Sequence, residues 1–69
     1  MKNYLFSEIG WSNNFVVMAS SKFKAQYALA EFLRKKKYHG QNNQIIQNTR
    51  DIAINFEVKE FDKEKVIQI

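Results

Sequence analysis

Residues 20–40, SSKFKAQYALAEFLRKKKYHG, decide how the rest of the chain is read. Ser20 and Ser21 supply a helix N-cap, because a serine oxygen accepts from a first-turn N–H that has no partner within the helix. From Lys22 to about Tyr38 the stretch consists of helix formers and contains neither Gly nor Pro. At about 100° per residue, Ala25, Ala28, Leu29, Phe32 and Leu33 fall on one apolar stripe. Such a helix needs a surface to lie on. Arg34 to Lys37 occupy the last turn, where cations complement the helix dipole. Gly40 stands where a left-handed C-cap residue belongs.

The flanking segments supply that surface. Asn3 to Ile9 reads as a strand, because aromatics favour a pleated face and Tyr4 and Phe6 recur at a spacing of two. Gly10-Trp11-Ser12-Asn13-Asn14 is a turn cluster. Phe15 to Ala19 is a continuous apolar run that suits a central strand buried on both faces, so the two runs form a hairpin. After the helix, Gln41 to Gln44 is a polar loop, and Ile45 to Gln47 is either a short strand or more loop. Asn48-Thr49-Arg50 reads as a turn. Ile52, Ile54, Phe56 and Val58 then alternate with Ala53, Asn55, Glu57 and Lys59, the pattern of an antiparallel strand with one wet face. Phe61-Asp62-Lys63 is a further turn, and Lys65 to Ile69 a final strand. The expected fold is a single α+β domain over residues 1–69 with the order β-β-α-β-β-β: an antiparallel sheet of 4-5 strands under one helix.

At 69 residues the core is marginal on its own. Small domains supplement it with disulfides, a metal or a second subunit. The chain has no Cys, and His39 is its one histidine. Disulfides and thiolate metal sites are therefore excluded, and homo-oligomerisation is the expected supplement. The apolar run Tyr4-Leu5-Phe6 is broken at Glu8, too early for a signal-peptide core or a membrane span, so the expected compartment is the cytoplasm. The net charge of +4 and pI near 9.5 permit an anionic partner, but seven acids dilute the basic run. Lys, Asn, Ile, Phe and Tyr make up 32 of the 69 residues, a bias toward AT-rich codons that points to a low-GC genome such as a Firmicute or one of its phages.

Catalysis needs a nucleophile, a base and an orienting group together. Here there is no Cys, His39 falls in a helix-exit loop, and the acids Glu57, Glu60, Asp62 and Glu64 interleave with Lys59, Lys63 and Lys65 as a charge-paired hairpin would. No phosphate-binding glycine loop can be built from Gly10 and Gly40 alone. The reading is non-enzymatic, with no cofactor and no metal.

Three features point to binding instead. Phe23, Tyr27, Ala30, Arg34 and Tyr38 form a second stripe on the back of the helix, and Tyr, Phe and Arg are enriched at interfaces; the alternative is that Phe23 and Tyr38 wrap into the core. Ser20, Ser21, Lys22 and Lys24 set two hydroxyls and two ammonium groups at a helix N-terminus, which would suit a phosphate such as that of a nucleotide. Trp11 offers either a cap on the core or a stacking platform, at the end of the second strand opposite Lys22. The expected function is a small binding protein, of the kind encoded by phages and mobile elements for counter-defence, that inhibits a host protein through Phe23, Tyr27, Arg34 and Tyr38 or sequesters an anionic ligand at Ser20 to Lys24. The alternative is a nucleic-acid-binding regulator using Arg34 to Lys37 with Lys22, Lys24 and either Tyr27 or Trp11.

Overall fold

A computed structural model describes residues 1–40 and 43–62. Within them the order is β1 (Lys2–Glu8), β2 (Asn14–Ala19), α1 (Lys22–Lys35), α2 (Thr49–Asn55) and β3 (Phe56–Phe61). The class is α+β, with a three-stranded antiparallel sheet ordered β2-β1-β3. The expected final strand, Lys65 to Ile69, lies outside the described residues. So do Lys63 of the last turn and Gln41 and Asn42 of the polar loop.

The hairpin forms as its sequence dictates. Lys2 pairs with Ala19 and Ser7 with Asn14, and Gly10 takes the left-handed φ of 84° that the intervening turn requires. The roles of its two strands are the reverse of the expectation. β1 is central and holds buried Tyr4, Leu5 and Phe6, whereas β2 is an edge among the described strands. Val16 and Met18 are exposed, so the apolar run of β2 covers one face only. Tyr4, Phe6 and Glu8 face the helices, with Phe15, Val17 and Ala19 beside them.

The larger departure follows Asn48. Residues 49–55 are helical, not strand. The Asn48 side chain accepts from Asp51 N–H at 3.0 Å, and the Asp51 carboxylate accepts from Asn48 N–H at 3.3 Å and Gln47 N–H at 2.9 Å. This capping box satisfies the first-turn donors and starts α2 where a turn was expected. Ile52 and Phe56 lie four residues apart, a spacing that serves a two-residue period and a helical turn equally well. Ile54 separates the two readings: it is 62% exposed, while Ile52 is 0% exposed. Only from Phe56 onward does the chain extend and pair with β1, Phe56 opposite Glu8 and Phe61 opposite Asn3.

The second helix also turns α1 about its axis. α2 packs beside α1, so the buried residues of α1 are Ala25, Leu29, Ala30 and Leu33. Ala30, expected on the outer stripe, is buried, and Ala28 and Phe32, expected on the inner one, are exposed. Ile45 to Gln47 forms no strand. A single bridge joins His39 to Ile45, and Ile46, wholly buried, donates its N–H to Tyr38 O at 3.1 Å.

The helix exit is built without the expected glycine. Tyr38 N–H reaches Leu33 O at 3.0 Å and Lys37 N–H reaches Arg34 O at 3.1 Å, the bond pair of a Schellman cap. The left-handed residue is Lys37, with φ 55°, so α1 stops at Lys35 rather than near Tyr38. Gly40 lies beyond the cap and is buried against Ile46, Asn55 and Glu8.

Candidate interaction surfaces

Phe23 and Tyr27 sit one helical turn apart on α1 and are 64% and 58% exposed. Arg34 follows on the same side, its Nη2 held by Glu31 Oε1 at 2.6 Å. Tyr38 leaves this stripe because the chain reverses at Lys37. Its ring packs edge-on to Phe15 at 6.1 Å, and its hydroxyl turns inward. The exposed stripe is therefore Phe23, Tyr27 and Arg34.

At the helix entrance, Ser21 Oγ accepts from Lys24 N–H at 3.2 Å and Ser21 O from Ala25 N–H at 2.9 Å. Ser21 is the N-cap, and its side chain is committed to the helix. Ser20, Lys22 and Lys24 are exposed around it, and the first turn of α1 carries no acid. Trp11 is 50% exposed in the β1–β2 turn, its backbone N–H donating to Glu8 O at 3.2 Å. Since β2 separates that turn from Ser20, Trp11 and the helix entrance lie about 20 Å apart at ~3.3 Å per residue. The opposite end of α1 is close to the turn: Asn13 Nδ2 donates to Tyr38 Oη at 2.7 Å. Trp11 thus shares one end of the molecule with the exposed run Arg34 to Lys37, of which Lys36 places its Nζ 4.7 Å from the centre of the Phe32 ring.

Two further features carried little signal in the sequence. One is an apolar groove of about 280 Å³ between α1 and the β2 edge, lined by Phe15, Val16, Val17, Ala28, Leu29 and Phe32. It opens because α2 draws α1 toward Ala30. The other is a polar cluster at the hairpin end. Glu8 is 3% exposed, and its Oε1 accepts from the Tyr38 hydroxyl and from Asn13 Nδ2 at 3.4 Å. Its Oε2 is buried with no hydrogen-bond partner among the described residues. Burial, reinforced by the hydrogen bond to Glu8 and its charge and opposed by Asn13, pushes the Tyr38 hydroxyl up to about 12. In the sequence Glu8 stood out only as the residue that ends an apolar run.

Among the described residues no group of three or more His, Asp or Glu side chains comes together as a metal would need, and no helix is long and apolar enough to cross a membrane. No protein-family model, curated protein or solved structure matches the chain.

Proposed function

We propose that this chain is a non-enzymatic binding protein that acts by occupying a partner protein through the outer face of α1. The observation that carries the reading is the exposure of Phe23 and Tyr27, adjacent aromatic rings on one helix flank with Arg34 in line behind them. Single exposed apolar residues are ordinary. Two aromatic rings and a guanidinium in register have the composition of an interface centre instead. Inhibition by occupation needs no catalytic groups, which suits an 8.2 kDa accessory factor of the AT-rich phage or mobile-element origin that the composition suggests. Capture of a nucleotide at the helix entrance is less well supported, because Ser21 already caps the helix and Trp11 stands at the far end of β2.

A nucleic-acid partner is the second reading. What favours it is the Asn13–Tyr38 bond, which brings the Trp11 turn to the end of α1 that carries Arg34 to Lys37.

The test compares wild type with Phe23→Ala/Tyr27→Ala, both immobilised and challenged with host extract. The double variant should melt with wild type, since both side chains are exposed. A protein retained in stoichiometric amount by wild type and lost by the variant supports the proposal. Equal retention by both, or retention only of nucleic acid that elutes steeply with salt, rejects it.

A further inference from the structure

The exposed edge of the described sheet is chemically unlike its other side. β3 carries Glu57, Lys59 and Glu60, the charges that discourage another strand from pairing. β2, Asn14–Ala19, has the sequence NFVVMA and carries no charge, no Pro and no Gly. Alongside it runs the apolar groove whose helical wall is Ala28, Leu29 and Phe32. A strand edge without protection and an apolar groove parallel to it call for one occupant that offers both a neutral strand and an apolar helix flank.

We propose that this occupant is a second copy of the same chain, paired β2 to β2 antiparallel about a twofold axis, with the two α1 helices side by side over the joined sheet. An isologous contact requires a self-complementary surface. The strand meets this requirement, being neutral throughout. On the helices, an antiparallel arrangement centred near Ala28 brings the small Ala28 side chains together at the axis. Lys24 of each copy then lies opposite Glu31 of the other, since the two residues stand at nearly equal distances either side of Ala28. Glu31 has one oxygen on Arg34 within its own chain, which leaves the second for that lysine.

A stable dimer buries about 800 Å² per partner, roughly a sixth of this chain's 5129 Å² of surface. The pairing also enlarges a core that is marginal at this length. At ~100° per residue, Phe23 lies about 140° and Tyr27 about 100° round the helix from Ala28. The dimer therefore leaves both exposed aromatic rings open, and it does not rest on the function proposed for them.

Sedimentation equilibrium of the full chain over a wide concentration range tests the pairing. Wild type should show a reversible monomer–dimer equilibrium. Ala28→Glu, at an exposed site on the axis, should weaken it by about 100-fold or more by burying an unpaired charge. Lys24→Glu should weaken it by about tenfold, although it adds an acid to the first turn of α1 and so stabilises the monomer. Lys24→Glu with Glu31→Lys should recover most of the loss. Phe23→Ala/Tyr27→Ala should leave dimerisation unchanged, which separates failure of this inference from failure of the functional one. A wild-type monomer at every concentration overturns the proposal, as does a dimer indifferent to both Ala28→Glu and Lys24→Glu. A monomer whose β2 amides are nonetheless protected from hydrogen exchange also overturns it, and assigns the edge to another segment of the chain.

Discussion

The Tyr38 hydroxyl donates to the Glu8 carboxylate, thirty positions earlier in the chain, and so ties the exit of α1 to the end of the central strand. Asn13 closes the triangle by donating to both, at 2.7 Å to Tyr38 and 3.4 Å to Glu8. A carboxylate this deeply buried is tolerated only while its lone pairs are occupied. Glu8 has one oxygen so occupied and one with no partner among the described residues. The tyrosine is therefore the main support for a group that otherwise opposes folding.

Removal of that support should be costly and should change the alkaline response. Tyr38→Phe strips this donor from Glu8 and is expected to destabilise the fold by about 2 kcal/mol at neutral pH. The native hydroxyl titrates near 12, against 10.0 for an ordinary tyrosine. The unfolded chain therefore loses this proton first, and the contribution of Tyr38 is whole below pH 10 and lost as pH rises toward 12. Urea melts across that window should show wild type losing stability more steeply than Tyr38→Phe. Parallel curves for the two proteins would mean that the hydroxyl is not held in the native state.

How much of this was legible in the sequence depends on which contacts are local. The hairpin and α1 follow from nearest neighbours: Gly10 and the asparagines of the first turn, the Ser21 cap and the Ala25–Leu29–Leu33 spacing. Residues 49–55 depart from the expected turn and strand because Ile52, Ile54, Phe56 and Val58 display a clean alternation, while the Asn48–Asp51 capping box is only two residues in a polar stretch. That alternation hid α2. With α2 hidden, nothing indicated that Ala30 would be covered, that Ala28 and Phe32 would be left bare, or that a groove would open along β2. Tyr38 could not be separated from the outer stripe because its direction is set by the left-handed turn at Lys37, and a lysine advertises no such turn. Phe23, Tyr27, Ser21 and Trp11 sit on elements expected from the sequence, which places the cap at Ser20 or Ser21 but leaves Phe23 and Trp11 open between core and surface.

The two readings of residues 52–58 give opposite results for a pair of substitutions. In a strand, Ile52 and Ile54 share the apolar face and should matter equally. In α2 they lie on opposite sides, Ile52 within the core with Leu29 and Leu33 and Ile54 in solvent. Ile52→Ala should cost about 2–4 kcal/mol through the cavity it leaves, and Ile54→Ala within about 0.5 kcal/mol of nothing. Chemical denaturation of the two variants decides the matter, and comparable losses would restore the strand.

The exit of α1 allows a test in which stability rises. Lys37 holds φ 55°, a region where a Cβ crowds the neighbouring carbonyl and where glycine carries no such penalty. Its N–H and that of Tyr38 already make the two capping bonds, so Lys37→Gly alters no contact of the cap. The substitution should stabilise the protein by about 1 kcal/mol, which at this chain length raises Tm by roughly 4–8 °C. Gly40 is the control. It stands where the cap glycine was expected, yet it needs no left-handed φ. A Cβ there would meet Ile46 Cδ1 at 3.4 Å and Glu8 Oε2 at 3.6 Å. Gly40→Ala relieves no left-handed strain and sets its methyl group at ordinary contact distances, so Tm should hold or rise slightly. If Lys37→Gly and Gly40→Ala both lower Tm, the helix ends at Gly40 after all, and the inward turn of Tyr38 onto Glu8 has to be abandoned with it.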